Sequence, residues 1–144
     1  MIREITENDF DELFRLYMQL HDNPFPERNA QVLSVWKQIL NDNNHHIIVA
    51  EEAGQIVSSC VCVILPNLTH GQRPYALIEN VVTDAAYRKK GFATACLNYA
   101  KELAIKVNCY KMMLLTGSKN PATLHFYEQA GYNQNDKTAF IQWL

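Results

Sequence analysis

The run Val81-Val82-Thr83-Asp84-Ala85-Ala86-Tyr87-Arg88-Lys89-Lys90-Gly91-Phe92-Ala93-Thr94 has the pattern of a strand, a basic loop and the opening turn of a helix. Such a loop can hold a phosphate. Backbone N–H groups at a helix N-terminus are unpaired and point outward, the helix dipole favours an anion there, and a glycine lets the backbone approach closely. Arg88, Lys89 and Lys90 place local positive charge in a chain whose net charge is −2. The same residues also fit a solvated basic turn with a glycine for conformation. The two common phosphate fingerprints, GxGxxG and GxxxxGK[ST], are both absent.

Glu79 stands between Ile78 and Asn80-Val81-Val82, in a strand whose apolar character predicts burial. A desolvated carboxylate is the stronger base, so Glu79 is a candidate proton acceptor. The competing expectation is a structural carboxylate paired with an arginine or lysine, for example Arg73 or Arg88. Tyr127, taken by itself, fits an amphipathic helix residue with its ring in the core and its hydroxyl at the surface. Cys60, Cys62, Cys96 and Cys109 form no CxxC pair, and none has an evident histidine beside it to make a thiolate nucleophile. His45 and His46 are adjacent while His21, His70 and His125 stand alone, which is no metal-ligand spacing.

Arg88-Lys89-Lys90-Gly91-Phe92-Ala93 fits the pattern R/Q-x-x-G-x-G/A. An amphipathic helix, an apolar strand at 111–116, then Asn120 and Phe126-Tyr127-Glu128-Gln129-Ala130-Gly131-Tyr132 follow it in order. On these segments, which cover 75–132, the chain resembles the GNAT superfamily of acetyl-CoA-dependent N-acetyltransferases. The resemblance implies acetyl-CoA as co-substrate. Its pyrophosphate would rest on Arg88, Lys89, Lys90, Gly91, Phe92, Ala93 and Thr94, its pantetheine arm would pair with Val81, Val82 and Thr83, and Asn120 would make a polar contact to it. Tyr127 matches the tyrosine that gives a proton to the departing thiolate. Ile78-Glu79-Asn80-Val81-Val82 and Asn108-Cys109-Tyr110-Lys111 are similar to segments of glucosamine-6-phosphate N-acetyltransferases, which carry an acidic pair where this chain has Glu79-Asn80.

The elements that must position these residues are legible in the periodicity. A short strand about Ile2 and Ile5 precedes the capping residues Thr6 to Asp9 and a helix carrying Phe10, Leu13, Phe14, Tyr17 and Leu20. A proline-bounded connection at 21–26 leads to a second helix with Val32, Val35, Trp36, Ile39 and Leu40 on one stripe. Strands at 46–50 and 56–65 flank Glu51-Glu52-Ala53-Gly54-Gln55 as a hairpin. A polar loop at 66–74, a strand at 75–83, a helix at 93–107 with Phe92, Cys96, Tyr99, Leu103 and Val107 inward, a strand at 110–116 buried on both faces, a helix at 121–130 and a closing strand at 138–143 complete the order. This predicts one α/β domain over 1–144 with a mixed central sheet flanked by about four helices.

The chain has 144 residues with 13 basic and 15 acidic side chains. That balance lacks the basic face of a general nucleic-acid binder. No apolar h-region follows Met1, and no long uncharged apolar run offers a membrane span. Unpaired cysteines suit a reducing cytoplasm. The expectation is therefore a cytoplasmic N-acetyltransferase, without a metal. It would move the acetyl group of acetyl-CoA onto a primary amine of a small molecule, by direct attack in a ternary complex. Tyr127 would be the acid and Glu79 the base. A non-catalytic CoA-responsive binding module and acetyl transfer to a protein amine are the alternatives, and a homodimer is left open.

Overall fold

The computed structural model describes residues 1–20, 24 and 26–144. His21, Asp22, Asn23 and Phe25 of the expected proline-bounded connection lie outside the described residues. Strand β1 (Ile2–Glu4) is followed by the expected caps: the Thr6 N–H donates to Asp9 Oδ2 at 2.6 Å and its hydroxyl to the same oxygen at 2.9 Å. One 3₁₀ turn over Glu7–Asp9 then opens α1 (Phe10–Tyr17). Helix α2 (Ala30–Asn41) is capped by Asn29, whose Oδ1 accepts the Val32 N–H at 3.0 Å. The Phe10 and Trp36 rings meet edge to face at 5.3 Å and join the two helices.

Strands β2 (His45–Glu52) and β3 (Gln55–Leu65) form the predicted hairpin. Its turn residues Ala53 and Gly54 both have positive φ, 50° and 78°, the handedness that matches the twist of the flanking strands. A single turn, α3 (Thr69–Gln72), interrupts the polar loop, with His70 and Gly71 left-handed. Then come β4 (Tyr75–Thr83), α4 (Phe92–Lys106), β5 (Met112–Leu114) and α5 (Pro121–Gln129). The sheet order is β1-β2-β3-β4-β5, antiparallel except for the parallel β4/β5 pair. The mixed sheet and single α/β layer structure are as the sequence predicted.

Period-2 alternation in β2 sorts side chains to the two faces. Ile47 and Val49 join Phe10, Leu13, Leu16 and Trp36, while Ile48 and Ala50 join Cys96, Leu97, Ala100 and Ala104 of α4. Two helices therefore cover one face and α4 with α5 the other. The buried face of α4 is turned from the expected one: Leu97, Ala100 and Ala104 join Cys96 in the core, Phe92, Tyr99 and Leu103 flank them half-buried, and Val107 is 45% exposed.

Three expectations are corrected. Strand β5 spans only Met112–Leu114, and all three residues are half-buried rather than enclosed on both faces. The closing strand at 138–143 does not form; the segment is exposed throughout, because a strand needs a neighbouring ladder and none meets it within its own molecule. Glu79, expected to be buried, is exposed, for the reason that follows.

Candidate active site

The site arises from one irregularity in β4. Across from it, Ser59 pairs with Val82 and Val61 with Glu79, so Asn80 and Val81 together oppose Cys60. This is a β-bulge, and Asn80 carries the left-handed φ of 49° that makes room for the extra residue. The insertion reverses the alternation beyond it. Ala76 and Ile78 face α4 before the bulge, whereas after it Val81 faces α4 and Val82 faces α1. Strand β5 pairs with β4 only over Ala76, Leu77 and Ile78. From Glu79 onward the β5 side of β4 has no ladder partner, and the two strands splay.

The splay opens a cleft of about 160 Å³, partly open to solvent, lined by Leu20, Ile78, Glu79, Asn80, Val81, Leu114, Leu115, Thr116, Gly117 and Tyr127. Glu79 and Tyr127, the two residues assigned to proton transfer from the sequence, thus share one cavity wall to wall. Tyr127 is half-buried beside Phe126 and Tyr132, with ring centroids 5.0 and 6.3 Å away. Burial pushes its hydroxyl above the usual tyrosine range, with the nearby Cys60 thiol adding to the shift. It is therefore held as a donor at neutral pH.

Exposure removes the desolvation that was to make Glu79 a base, so its case rests on its place in the cleft wall. The competing assignment to an ion pair also fails. Arg73 donates to the carbonyls of Asn108 and Cys109 at 3.1 and 3.0 Å, and Arg88 Nε donates to the Thr83 carbonyl at 3.3 Å. No described cation lies within ion-pair distance of the Glu79 carboxylate.

The basic loop lies at the end of the same strand. Asp84 caps the short turn Ala85–Tyr87 by accepting the Ala86 N–H at 3.0 Å, a bond that holds its carboxyl below the usual range. Arg15 and Gln19 reach it at 3.2 and 3.0 Å, which ties the end of α1 to the loop. Arg88, Lys89, Lys90 and Gly91 are exposed, and Lys90 Nζ sits 4.7 Å over the Tyr87 ring. Gly91, at φ 86°, is the N-cap of α4 and offers no capping side chain. Ala95 is the first amide of the helix to find a backbone acceptor, the Gly91 carbonyl at 2.9 Å. The amides of Phe92, Ala93 and Thr94 are left for an incoming anion. A Cβ added at Gly91 would meet no atom within 4 Å, so the space in front of the loop is open. These features fit a diphosphate-bearing ligand.

Asn120 is the N-cap of α5, its Oδ1 accepting the Ala122 N–H at 2.9 Å. Its Nδ2 is left as a donor for a ligand. On the side of β4 that lacks a ladder partner, Val81, Val82 and Thr83 present backbone, while the Val81 side chain packs toward α4, Val82 is buried and the Thr83 hydroxyl meets Ser58 Oγ at 2.8 Å. All four thiols are pushed up by burial, Cys62 to about 12 and Cys96 to about 11, which suits packing and not nucleophilic attack. Among the described residues no group of three or more His, Cys, Asp or Glu side chains is disposed to hold a metal.

Sequence patterns missed the cleft's other walls. Asn80 was visible as a residue tolerant of left-handed backbone inside an apolar strand, and Gly117 as a glycine closing an apolar run. Tyr17, which is not part of that lining but lies beside Asn80, had no such signal. Its hydroxyl and that of Ser59 are buried without a hydrogen bond of acceptable geometry; burial pushes the Tyr17 hydroxyl up to about 12, and the adjacent Ser59 and Asn80 side chains partly offset this. Another concavity, lined by Glu4, Asp42, His45 and His46 among others, contains none of the candidate catalytic or cofactor-binding residues picked from the sequence.

A bulged strand parts from its parallel neighbour here, and an uncapped basic helix N-terminus stands at its end on an α/β sheet. The chain belongs to the Acetyltransferase (GNAT) family, which matches residues 10–132. A solved structure described as a "putative acetyltransferase" from Agrobacterium tumefaciens str. C58 is 39% identical, with a TM-score of 0.90 and 99% of both chains covered. The glucosamine 6-phosphate N-acetyltransferase of Trypanosoma brucei brucei is 33% identical over 87 residues, 60% of this chain and 57% of that protein. An uncharacterized N-acetyltransferase of Methanocaldococcus jannaschii is 25% identical over 140 residues, 94% of this chain and 61% of that protein. The chain thus spans less than two thirds of the length of these two curated relatives.

Proposed function

We propose that this chain is a cytoplasmic N-acetyltransferase that moves the acetyl group of acetyl-CoA onto a primary amine of a small molecule by direct attack. The observation that carries this is the convergence of Glu79 and Tyr127 on one cleft, at the point where β4 loses its partner and leads to the basic loop. Acetyl-CoA supplies a thioester whose carbonyl carbon forms the new C–N bond as its C–S bond breaks. The amides of Phe92, Ala93 and Thr94, with Arg88, Lys89 and Lys90 about them, meet the diphosphate; the free side of Val81, Val82 and Thr83 can pair with the amide-bearing arm. Asn120 contributes Nδ2. Tyr127, kept protonated by burial, gives its proton to the departing sulfur. Glu79 takes the proton that the amine loses, directly or through one water. The raised thiols favour this over a cysteine-bound acetyl group. Asn80 presents an amide where the glucosamine-6-phosphate enzymes carry a second carboxylate, so the acceptor site differs in charge.

The test is release of free thiol from acetyl-CoA across amines, amino sugars including glucosamine 6-phosphate, polyamines, aminoglycosides and peptides. Turnover on a small amine is expected, and Glu79→Gln should flatten the acidic limb of its pH–rate profile. An unaltered profile removes Glu79 as base. A rise in melting temperature with CoA and no turnover on any amine would make the chain a CoA-responsive module, and turnover on peptides alone would move the acceptor to a protein amine.

A further inference from the structure

The cleft is walled from both faces of the sheet. Tyr127 packs with the α4 cluster, as do Tyr87 and Phe92 on either side of the basic loop, whereas Leu20 packs with Phe10 and Trp36 on the α1 face. A thioester delivered from the basic loop meets Tyr127, so the wall left to an acceptor is Glu79, Asn80, Leu20 and Leu115.

The charge of that wall has one sign. The Glu79 carboxylate is exposed and has no ion pair among the described residues. No described lysine, arginine or histidine lines the cleft. The arginines nearest Leu20 in the sequence are engaged elsewhere: Arg15 donates to Asp84 and to the Ile56 carbonyl at 3.2 and 2.7 Å, and Arg28 meets Asp11 at 3.3 Å and lies 4.8 Å over the Phe10 ring. Residues 21–27, which continue the chain from Leu20, contain Asp22 and Glu27 and neither lysine nor arginine, and 113–118 are uncharged. The rest of the wall is hydrocarbon. Leu20 and Leu114 are half-buried and Leu115 is 42% exposed, so an apolar group laid against them leaves water favourably. An anionic group in the same place would lose its hydration and face Glu79 without a partner.

We infer, resting on the acetyl-transfer reading above, that the acceptor is a primary alkyl amine with one cationic head and a hydrocarbon body that bears no phosphate or carboxylate. Its ammonium meets the Glu79 carboxylate beside the Asn80 amide, and its carbon chain lies against Leu20, Leu114 and Leu115. A phosphorylated amino sugar would bring negative charge to a wall whose one charge is already negative. The chain therefore parts in acceptor class from the glucosamine-6-phosphate enzymes that 78–82 and 108–111 resemble.

The full chain with acetyl-CoA is given propylamine, butylamine, pentylamine and hexylamine, whose amino groups are equally basic, and thiol release is followed. Their kcat/KM should rise with length, by about fourfold for each methylene that is fully buried. Hexylamine should exceed 6-aminohexanoate, 1,6-diaminohexane and glucosamine 6-phosphate by about tenfold or more, because each of these carries a second charge to the leucine wall. Leu115→Ser, at a solvent-facing position, should flatten the rise with length, whereas a folding defect lowers every amine alike. The same order should appear in amine affinity for the chain saturated with CoA, read by calorimetry. A flat series overturns the inference and leaves acetyl transfer standing, as does a preference for any of the three doubly charged probes or a rise that Leu115→Ser does not change. No thiol release from any amine, with the affinity order intact, overturns acetyl transfer and leaves the ligand class standing. Neither release nor amine affinity overturns both.

Discussion

The two halves of β4 make opposite use of the same strand. From Tyr75 to Ile78 it is paired on both sides, to β3 and to β5, and Ala76 and Ile78 are fully buried. From Glu79 to Thr83 the β5 ladder has ended, Glu79 and Asn80 are exposed, and a left-handed residue has turned the alternation over. The first half satisfies its backbone inside the sheet and holds the core. The second leaves one side for a ligand. Withholding a pairing, more than adding a residue, is what builds this site.

The comparison is broken most severely in the first half. Ile78→Ala should cost about 3–4 kcal/mol of stability, because a side chain 1% exposed leaves a cavity that the sheet cannot collapse. Urea unfolding measures it. In the second half the order reverses. Tyr127→Phe should lower kcat about 100-fold, roughly 2.7 kcal/mol of barrier, while acetyl-CoA affinity and melting temperature stay near wild type. A wild-type rate would return Tyr127 to the core.

Asn80 tests the junction. Asn80→Val forces a β-branched residue into left-handed backbone and should destabilise by about 1–2 kcal/mol. Asn80→Gly keeps the conformation and should retain stability, so any loss of kcat/KM in the glycine variant belongs to the amide itself. The smallest effect is expected at the opposite edge of the sheet. Arg3, 2.7 Å from Asp9, holds that carboxyl down to about 2 from the usual 3.8. The folded state thus favours the charged form, and its stabilisation is complete above pH 3.8 and lost as pH falls through about 2. With part of the pair in solvent this amounts to about 1–2 kcal/mol. Unfolding midpoints of wild type and Asp9→Asn, compared across that window, should converge at its acid end.

The hairpin was legible because β-branched residues flank Ala53-Gly54, and α2 because Val32, Val35, Trp36, Ile39 and Leu40 recur at helical spacing. The basic loop was legible for the same reason: Gly91 before an apolar helix stripe is a local signal. Glu79 misled because its neighbours Ile78, Val81 and Val82 are apolar; the pattern does not show that a bulge lies between them. The segment 138–143 has the composition of a strand and no strand beside it. Short-range demands on φ, on orphan N–H groups and on helical or strand period are written in adjacent residues, and there the sequence by itself determined the outcome. The end of the β5 ladder after Ile78, the cleft shared by Glu79 and Tyr127, and the fate of Phe140 and Trp143 depend on which distant backbone comes alongside, and only the tertiary structure decided them.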